Sequence, residues 1–340
     1  MHKALDAKLE NIRNNPECRE FILVYAADAD MAYGIPTPGA TYPPQPGARY
    51  AYPSIQDFYL HLEELVREEA VEVLLASVSA MDVLAREKRL FDESSVTPAI
   101  RANDTTDIWV GRGARYAQSP SHPFATTTLE EARFGTLLPA PGQLPDVNLG
   151  LYSVTFNNDL EADLRSLEAF KAFRISAVRA GFRYFLEVFN PNSASLGLAP
   201  EQVPQYVNDQ IARMLAGIPR ASRPEFLKVA YNGPTAMEEL AHYDSSLVVG
   251  ILGGSSSTSY DAFKLIAEAK QHGARLALFG RRIKNAEHPL SFVRMLRAVV
   301  DEAIFPEEAV RAYRGELERL GIPPRRSLEE DMQLTSPGLL

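Results

Sequence analysis

Phe226-Leu227-Lys228-Val229-Ala230, followed closely by Asn232-Gly233-Pro234, is the stretch on which the fold turns. A short apolar run bounded by a turn signal reads as a buried strand. Alternation puts Phe226, Lys228 and Ala230 on one face and Leu227 and Val229 on the other. Lys228 is the only charge in the run, and an ammonium ion is costly to bury. Burial favours the neutral amine, and a neutral lysine amine is the nucleophile that forms a Schiff base with a carbonyl.

Working outward, runs of the same kind recur at 21–27, 71–77, 97–102, 150–156, 184–189, 247–252 and 275–279, eight in all with 226–230. Helical periodicity fills most of the gaps. Residues 55–69 place Phe58, Leu62, Leu65 and Val66 on one face. Residues 160–180 do the same with Leu164, Leu167, Phe170, Phe173 and Val178. Further helices are expected near 200–217, 258–272 and 289–303, with an amphipathic helix in the first 15 residues closing one end. Strand–helix alternation implies a parallel sheet, and eight units imply a closed (β/α)8 TIM barrel in one domain, residues 1–320. Residues 321–340 read as a polar C-terminal tail. Two long stretches, 31–53 after the first strand and 103–148 after the third, are rich in Pro, Gly and aromatic residues. Both fall on the face where barrel active sites form, so they are expected to cover the site or to make a subunit contact.

Composition narrows the classes. The chain has 340 residues, 46% hydrophobic and 23% charged, with a formal net charge of -9. No basic stripe argues for nucleic acid. No N-terminal apolar segment or 18-residue apolar span argues for secretion or a membrane, so the cytoplasm is the expected compartment. One cysteine excludes an internal disulfide, and the six scattered histidines show no metal-ligand spacing. Neither a metal nor a cofactor is called for.

The seventh strand runs into Gly253-Gly254-Ser255-Ser256-Ser257-Thr258, and the eighth into Phe279-Gly280-Arg281-Arg282-Ile283. Glycines admit a ligand close to the backbone, and the loops after strands 7 and 8 of a barrel commonly hold phosphate. Gly253, Gly254, Ser255, Gly280 and Arg281 are therefore the candidate phosphate site. An ordinary flexible turn and helix cap is the alternative for the Gly-Gly-Ser run taken alone.

Taken together, Lys228, the Gly-Gly after strand 7, and Phe279-Gly280-Arg281-Arg282-Ile283 with His288-Pro289-Leu290 resemble the class I, Schiff-base aldolases. The resemblance is to archaeal-type fructose-bisphosphate aldolases and the deoxyribose-phosphate aldolase-like group, and is clearest over 226–303. It implies Lys228 as nucleophile, Asp28 at the mouth of the barrel managing a proton or a substrate hydroxyl, and the glycines with Arg281 on the phosphate. It also implies a homo-oligomer and a phosphorylated small-molecule substrate. Where many relatives carry Asp-His-Gly after strand 1, this chain has Asp28-Ala29-Asp30, and Asp30 is a rival to Asp28. Relatives use a tyrosine acid, for which Tyr231 and Tyr184 are candidates, Tyr184 being expected to face away from Glu187.

Glu187, the one acid in its strand, either takes the proton released as Lys228 reacts or forms a structural ion pair with Lys228 or Arg101. Such a pair would keep the lysine protonated. Arg101 either binds substrate or pairs with a barrel carboxylate. The expected activity is carbon–carbon lysis of a phosphorylated keto sugar or related ketone. Its rivals are a transaldolase- or thiolase-like transfer on the same lysine, a non-catalytic phosphate-binding barrel, and an isomerase with Glu187 as base.

Overall fold

The structure, a computed structural model, describes residues 2–15, 17–44, 47, 49–192, 197–254, 258–336 and 339. Eight strands form the barrel: β1 (Ile22–Ala26), β2 (Val73–Ala76), β3 (Thr97–Arg101), β4 (Leu149–Thr155), β5 (Arg183–Phe189), β6 (Leu227–Val229), β7 (Val249–Leu252) and β8 (Leu276–Phe279). All neighbouring pairs are parallel, and β1 pairs with both β2 and β8, so the sheet closes on itself. Each predicted strand lies on one of these eight.

The two faces of each strand go to two separate cores. Inside the barrel, Ile22, Val24, Leu75, Ala99, Leu151, Phe185, Phe226, Leu276 and Leu278 fill the lower layers. Outside, Leu227, Val229, Leu186 and Val188 pack beneath the helices. Gly250 shows how tightly the inner layers are filled, because a Cβ there would lie 2.2 Å from Cγ of Leu276. The N-terminal helix (Ala4–Asn14) closes the bottom, with Leu5 and Leu9 in the inner core. It is anchored by Lys3, whose ammonium donates to the carbonyls of Phe91, Ser94 and Val96, and by Lys8 on Glu72 at 2.8 Å.

The surrounding helices start where the sequence offers caps. Ser54 and Asp57 form a reciprocal box ahead of helix Ile55–Arg67, and Asp159 accepts from the Ala162 amide at the start of helix Leu160–Ala180. That second helix departs from its expected stripe. Phe170 is buried and Leu167 and Phe173 pack against the outer core, but Leu164 and Val178 are exposed. A helix touching the sheet along one line buries a narrower arc than the apolar positions span. A further helix, Pro306–Arg319, not anticipated from the sequence, packs on helices Ser259–Gln271 and Pro289–Val300.

Both long connections carry structure of their own. The first holds a helical turn at Asp30–Tyr33. The second pairs Asp104–Thr105 with Pro123–Phe124, stacks Trp109 on Tyr116 at 4.5 Å and adds a helix at Leu129–Phe134. The two are joined where the Val110 amide donates to the Ala32 carbonyl at 3.0 Å. The C-terminal stretch folds back onto the start of helix Ser259–Gln271. There Asp331 accepts from the Ser259 amide and Asp261 accepts from the Thr335 amide, each at 2.8 Å. Among the described residues no helix is long and apolar enough to cross a membrane.

Candidate active site

Strand register builds the centre of the site. Ser153 on β4, Glu187 on β5 and Lys228 on β6 are successive partners across the sheet. All three have the inward parity of their strands, so their side chains meet at one level inside the barrel. The Lys228 ammonium lies 2.5 Å from Oε1 of Glu187, and the Ser153 hydroxyl donates to Oε2 at 2.8 Å. Arg101 reaches up from β3 to complete the group. Its Nε donates to Oδ2 of Asp28 at 2.5 Å, one terminal nitrogen donates to Ser153 Oγ at 2.8 Å, and the other lies 3.4 Å from Glu187. The result is a buried quartet of two carboxylates and two cations, none more than 6% exposed.

The charges explain one another. Burial alone would raise the Asp28 carboxyl, but Arg101 and then Lys228 outweigh it and hold the group below the usual carboxylate range. Burial would likewise lower the Arg101 guanidinium, yet Asp28 and Glu187 leave it raised. Asp104, just beyond β3, is different. Burial, opposed by Arg101 but reinforced by Asp28 and Asp30, pushes its carboxyl up to about 6, and its Oδ1 has no hydrogen-bond partner among the described residues.

Lys228 opens onto a cavity of about 360 Å³ at the C-terminal end of the strands. The cavity is also lined by Asp28, Arg101 and Glu187, by Gly253 and Gly254 after β7, and by Gly280 and Arg281 after β8. Gly280 is required there, since a Cβ would stand 2.6 Å from the Ala26 carbonyl oxygen. Arg281 is exposed and has no carboxylate partner among the described residues. Three larger hollows, about 490, 650 and 590 Å³, lie between the 123–132 segment and helix Leu160–Ala180, beside Cys18 at the bottom of the barrel, and between Arg67 and Leu90. None meets the quartet, so chemistry rather than size selects the site.

Several expectations are revised by this geometry. Lys228 is inward and buried, but it is not a lone desolvated amine, because Glu187 forms the ion pair. Arg101 lines the cavity yet is committed to Asp28, Ser153 and Glu187, which is the pairing alternative and leaves it no free fork for phosphate. Tyr231 does not reach the cavity. It has the outward parity of Leu227 and Val229 and packs in the outer core, where burial with Glu268 and Glu238 pushes its phenol up to about 12. Tyr184 also faces outward, donating to the Ser222 carbonyl at 2.8 Å. Asp30 turns to the Ser77 hydroxyl instead of the cavity. Ser255 lies outside the described residues.

Three residues were missed. Ser153 was findable, as a hydroxyl at inward parity in an apolar strand. Asp107 lines the cavity while accepting from Ser121 at 2.7 Å and Thr155 at 2.8 Å, and Tyr33 lines it from the first insertion. Asp107 sits in a loop and Tyr33 ends a single helical turn too short to show periodicity, so no sequence signal marked them.

No protein-family model and no curated protein match the chain. Solved structures do. A Schiff-base-forming fructose-1,6-bisphosphate aldolase matches with a TM-score of 0.60 at 15% identity, over 86% of this chain and 99% of that one. An archaeal fructose-1,6-bisphosphate aldolase, its catalytic lysine bound to the carbinolamine intermediate of its substrate, matches at 0.59 and 17%, over 86% and 99%. A fructose-bisphosphate aldolase from Slackia heliotrinireducens DSM 20476 matches at 0.62 and 13%, over 91% and 89%. At such identities the likeness is one of fold: the chain is a (β/α)8 barrel of the kind seen in archaeal-type fructose-bisphosphate aldolases.

Proposed function

We propose that this barrel is a Schiff-base-forming carbon–carbon lyase acting on a phosphorylated ketone. The observation that carries the reading is Lys228 itself: an ammonium on an inner barrel strand, 5% exposed, 2.5 Å from a carboxylate and open to a cavity with Gly280 and Arg281 on its rim.

Glu187 takes the ammonium proton and frees the amine. The amine attacks the carbonyl carbon, the carbonyl oxygen gathers protons by way of Glu187, and loss of water leaves an iminium. Ser153 and Arg101 hold the second oxygen of Glu187, so the carboxylate changes protonation without changing position. The iminium then withdraws the electron pair of the bond to be broken. Asp28, kept ionised by Arg101, faces a substrate hydroxyl, and Arg281 with the neighbouring glycines anchors phosphate, so that remote binding supplies orientation. The similar structures, one a Schiff-base-forming aldolase and one with its catalytic lysine bound to a carbinolamine, support the same chemistry here.

The test is inactivation by borohydride. Incubation with dihydroxyacetone phosphate and sodium borohydride should abolish lyase activity irreversibly, while borohydride alone leaves it intact. Lys228→Ala should have no lyase activity to lose. Full activity in that variant would overturn the proposal. A transferase on the same lysine would show the same inactivation but need an acceptor for turnover.

A further inference from the structure

The cavity has two chemically different ends, and strand order separates them. In the barrel β7 stands opposite β3, and β6 with Lys228 comes between β5 and β7. Over β7 and β8 lie Gly253, Gly254, Gly280 and Arg281. At the ends of β4 and β5 lie the Asp107 carboxylate, which accepts from Thr155, with Ile108 next to it in the chain, and Phe189, while Val110 stands where this wall meets the first insertion. Among the described residues Arg281 is the one cation lining the cavity without a carboxylate partner, because Lys228 and Arg101 are engaged by Glu187 and Asp28. The Val110–Ala32 hydrogen bond ties this apolar wall to the first insertion, whose Ala29, Ala32 and Tyr33 line the same space.

We infer that the substrate carries a single phosphate, held at the Arg281 end, and that the fragment released from the opposite end is an uncharged, apolar aldehyde. This rests on the Schiff-base role of Lys228. A second phosphate seated against Ile108, Val110 and Phe189 would lose its water, find no free cation and face Asp107 at close range. In cleavage, the hydroxyl on the carbon that becomes the aldehyde gives its proton to Asp107. The carbon–carbon electron pair moves into the iminium, leaving an enamine on Lys228 and a neutral aldehyde. Protonation of the enamine carbon and addition of water then release the ketone phosphate and restore the amine.

The synthetic direction tests it, with dihydroxyacetone phosphate as donor and butanal or glyceraldehyde 3-phosphate as acceptor. The kcat/KM for butanal should exceed that for glyceraldehyde 3-phosphate at least about tenfold. Ile108→Arg, and separately Val110→Arg, should shift the ratio toward the phosphorylated aldehyde. A wild-type ratio below tenfold overturns the inference without reference to either variant. Borohydride trapping with the donor alone reports on Lys228 independently of the acceptor. A Lys228 adduct together with a preference for glyceraldehyde 3-phosphate removes only the apolar-acceptor inference, and no adduct removes it together with the Schiff-base reading.

Discussion

Lys228 and Glu187 are a buried ion pair whose members are costly to separate. Lys228→Met leaves the buried Glu187 with Arg101, 3.4 Å away, as its nearest cation, and should cost about 3–5 kcal/mol of stability in urea denaturation. Lys228→Met with Glu187→Gln should recover most of that loss, which separates an electrostatic cost from a packing one. Asp104 makes an opposite prediction. Its carboxyl is raised in the folded protein to about 6, so the folded state holds the proton more tightly than the unfolded chain. That contribution is present below about pH 4 and is lost as pH rises through about 6. Asp104→Asn should therefore be more stable than the parent at pH 7.5, by on the order of 2 kcal/mol, and should flatten the fall in stability between pH 4 and 6. A parent profile without that fall would contradict the burial of Asp104. At this scale parity was the legible signal. It placed Lys228 and Glu187 inside and Tyr184 outside, and the same rule applied to Tyr231 would have put that residue outside too. Pairing was legible in part: Glu187 was given Lys228 or Arg101 as a partner and meets both, but nothing in the local sequence of Arg101 says that its other partners are Asp28 and Ser153, which lie 73 and 52 residues away.

Among the elements, the strands were readable because each is a short apolar run between turn signals, and burial on both faces of a barrel strand demands that pattern. The helices were readable as segments but less so as faces, as exposed Leu164 and Val178 show. The insertions were not readable as structure. Their stability comes from aperiodic contacts such as Trp109 on Tyr116 within the second insertion and from the Val110–Ala32 link, which joins residues far apart in the chain. Gly250 tests the fit between adjacent strands. Gly250→Ala drives a methyl group into Leu276 and should cost about 1–3 kcal/mol, whereas Gly250→Ala with Leu276→Val should lose less than the two changes summed. Simple additivity in thermal denaturation would mean the two side chains do not compete for that space.

For the whole molecule, the barrel separates stability from chemistry along its axis. Leu5 and Leu9 seal the bottom and apolar layers fill the middle, so the charged quartet at the top rests on a packed floor. Leu9→Ala should cost about 2–5 kcal/mol through the cavity it leaves, with KM for the ketone phosphate unchanged. A changed KM at unchanged stability would show that the plug and the site are not independent. The (β/α)8 architecture followed from eight alternating units, and the glycine-rich loops after β7 and β8 do line the cavity beside Lys228. The apolar wall depends on how two long insertions meet, and periodicity does not reach that far. Peptide mapping by mass spectrometry after borohydride reduction with dihydroxyacetone phosphate asks most directly whether the inward amine is the nucleophile. A reduced adduct confined to the peptide bearing Lys228 is the predicted result. An adduct on any other lysine, or an unmodified Lys228 peptide at every ketone concentration tried, would contradict it.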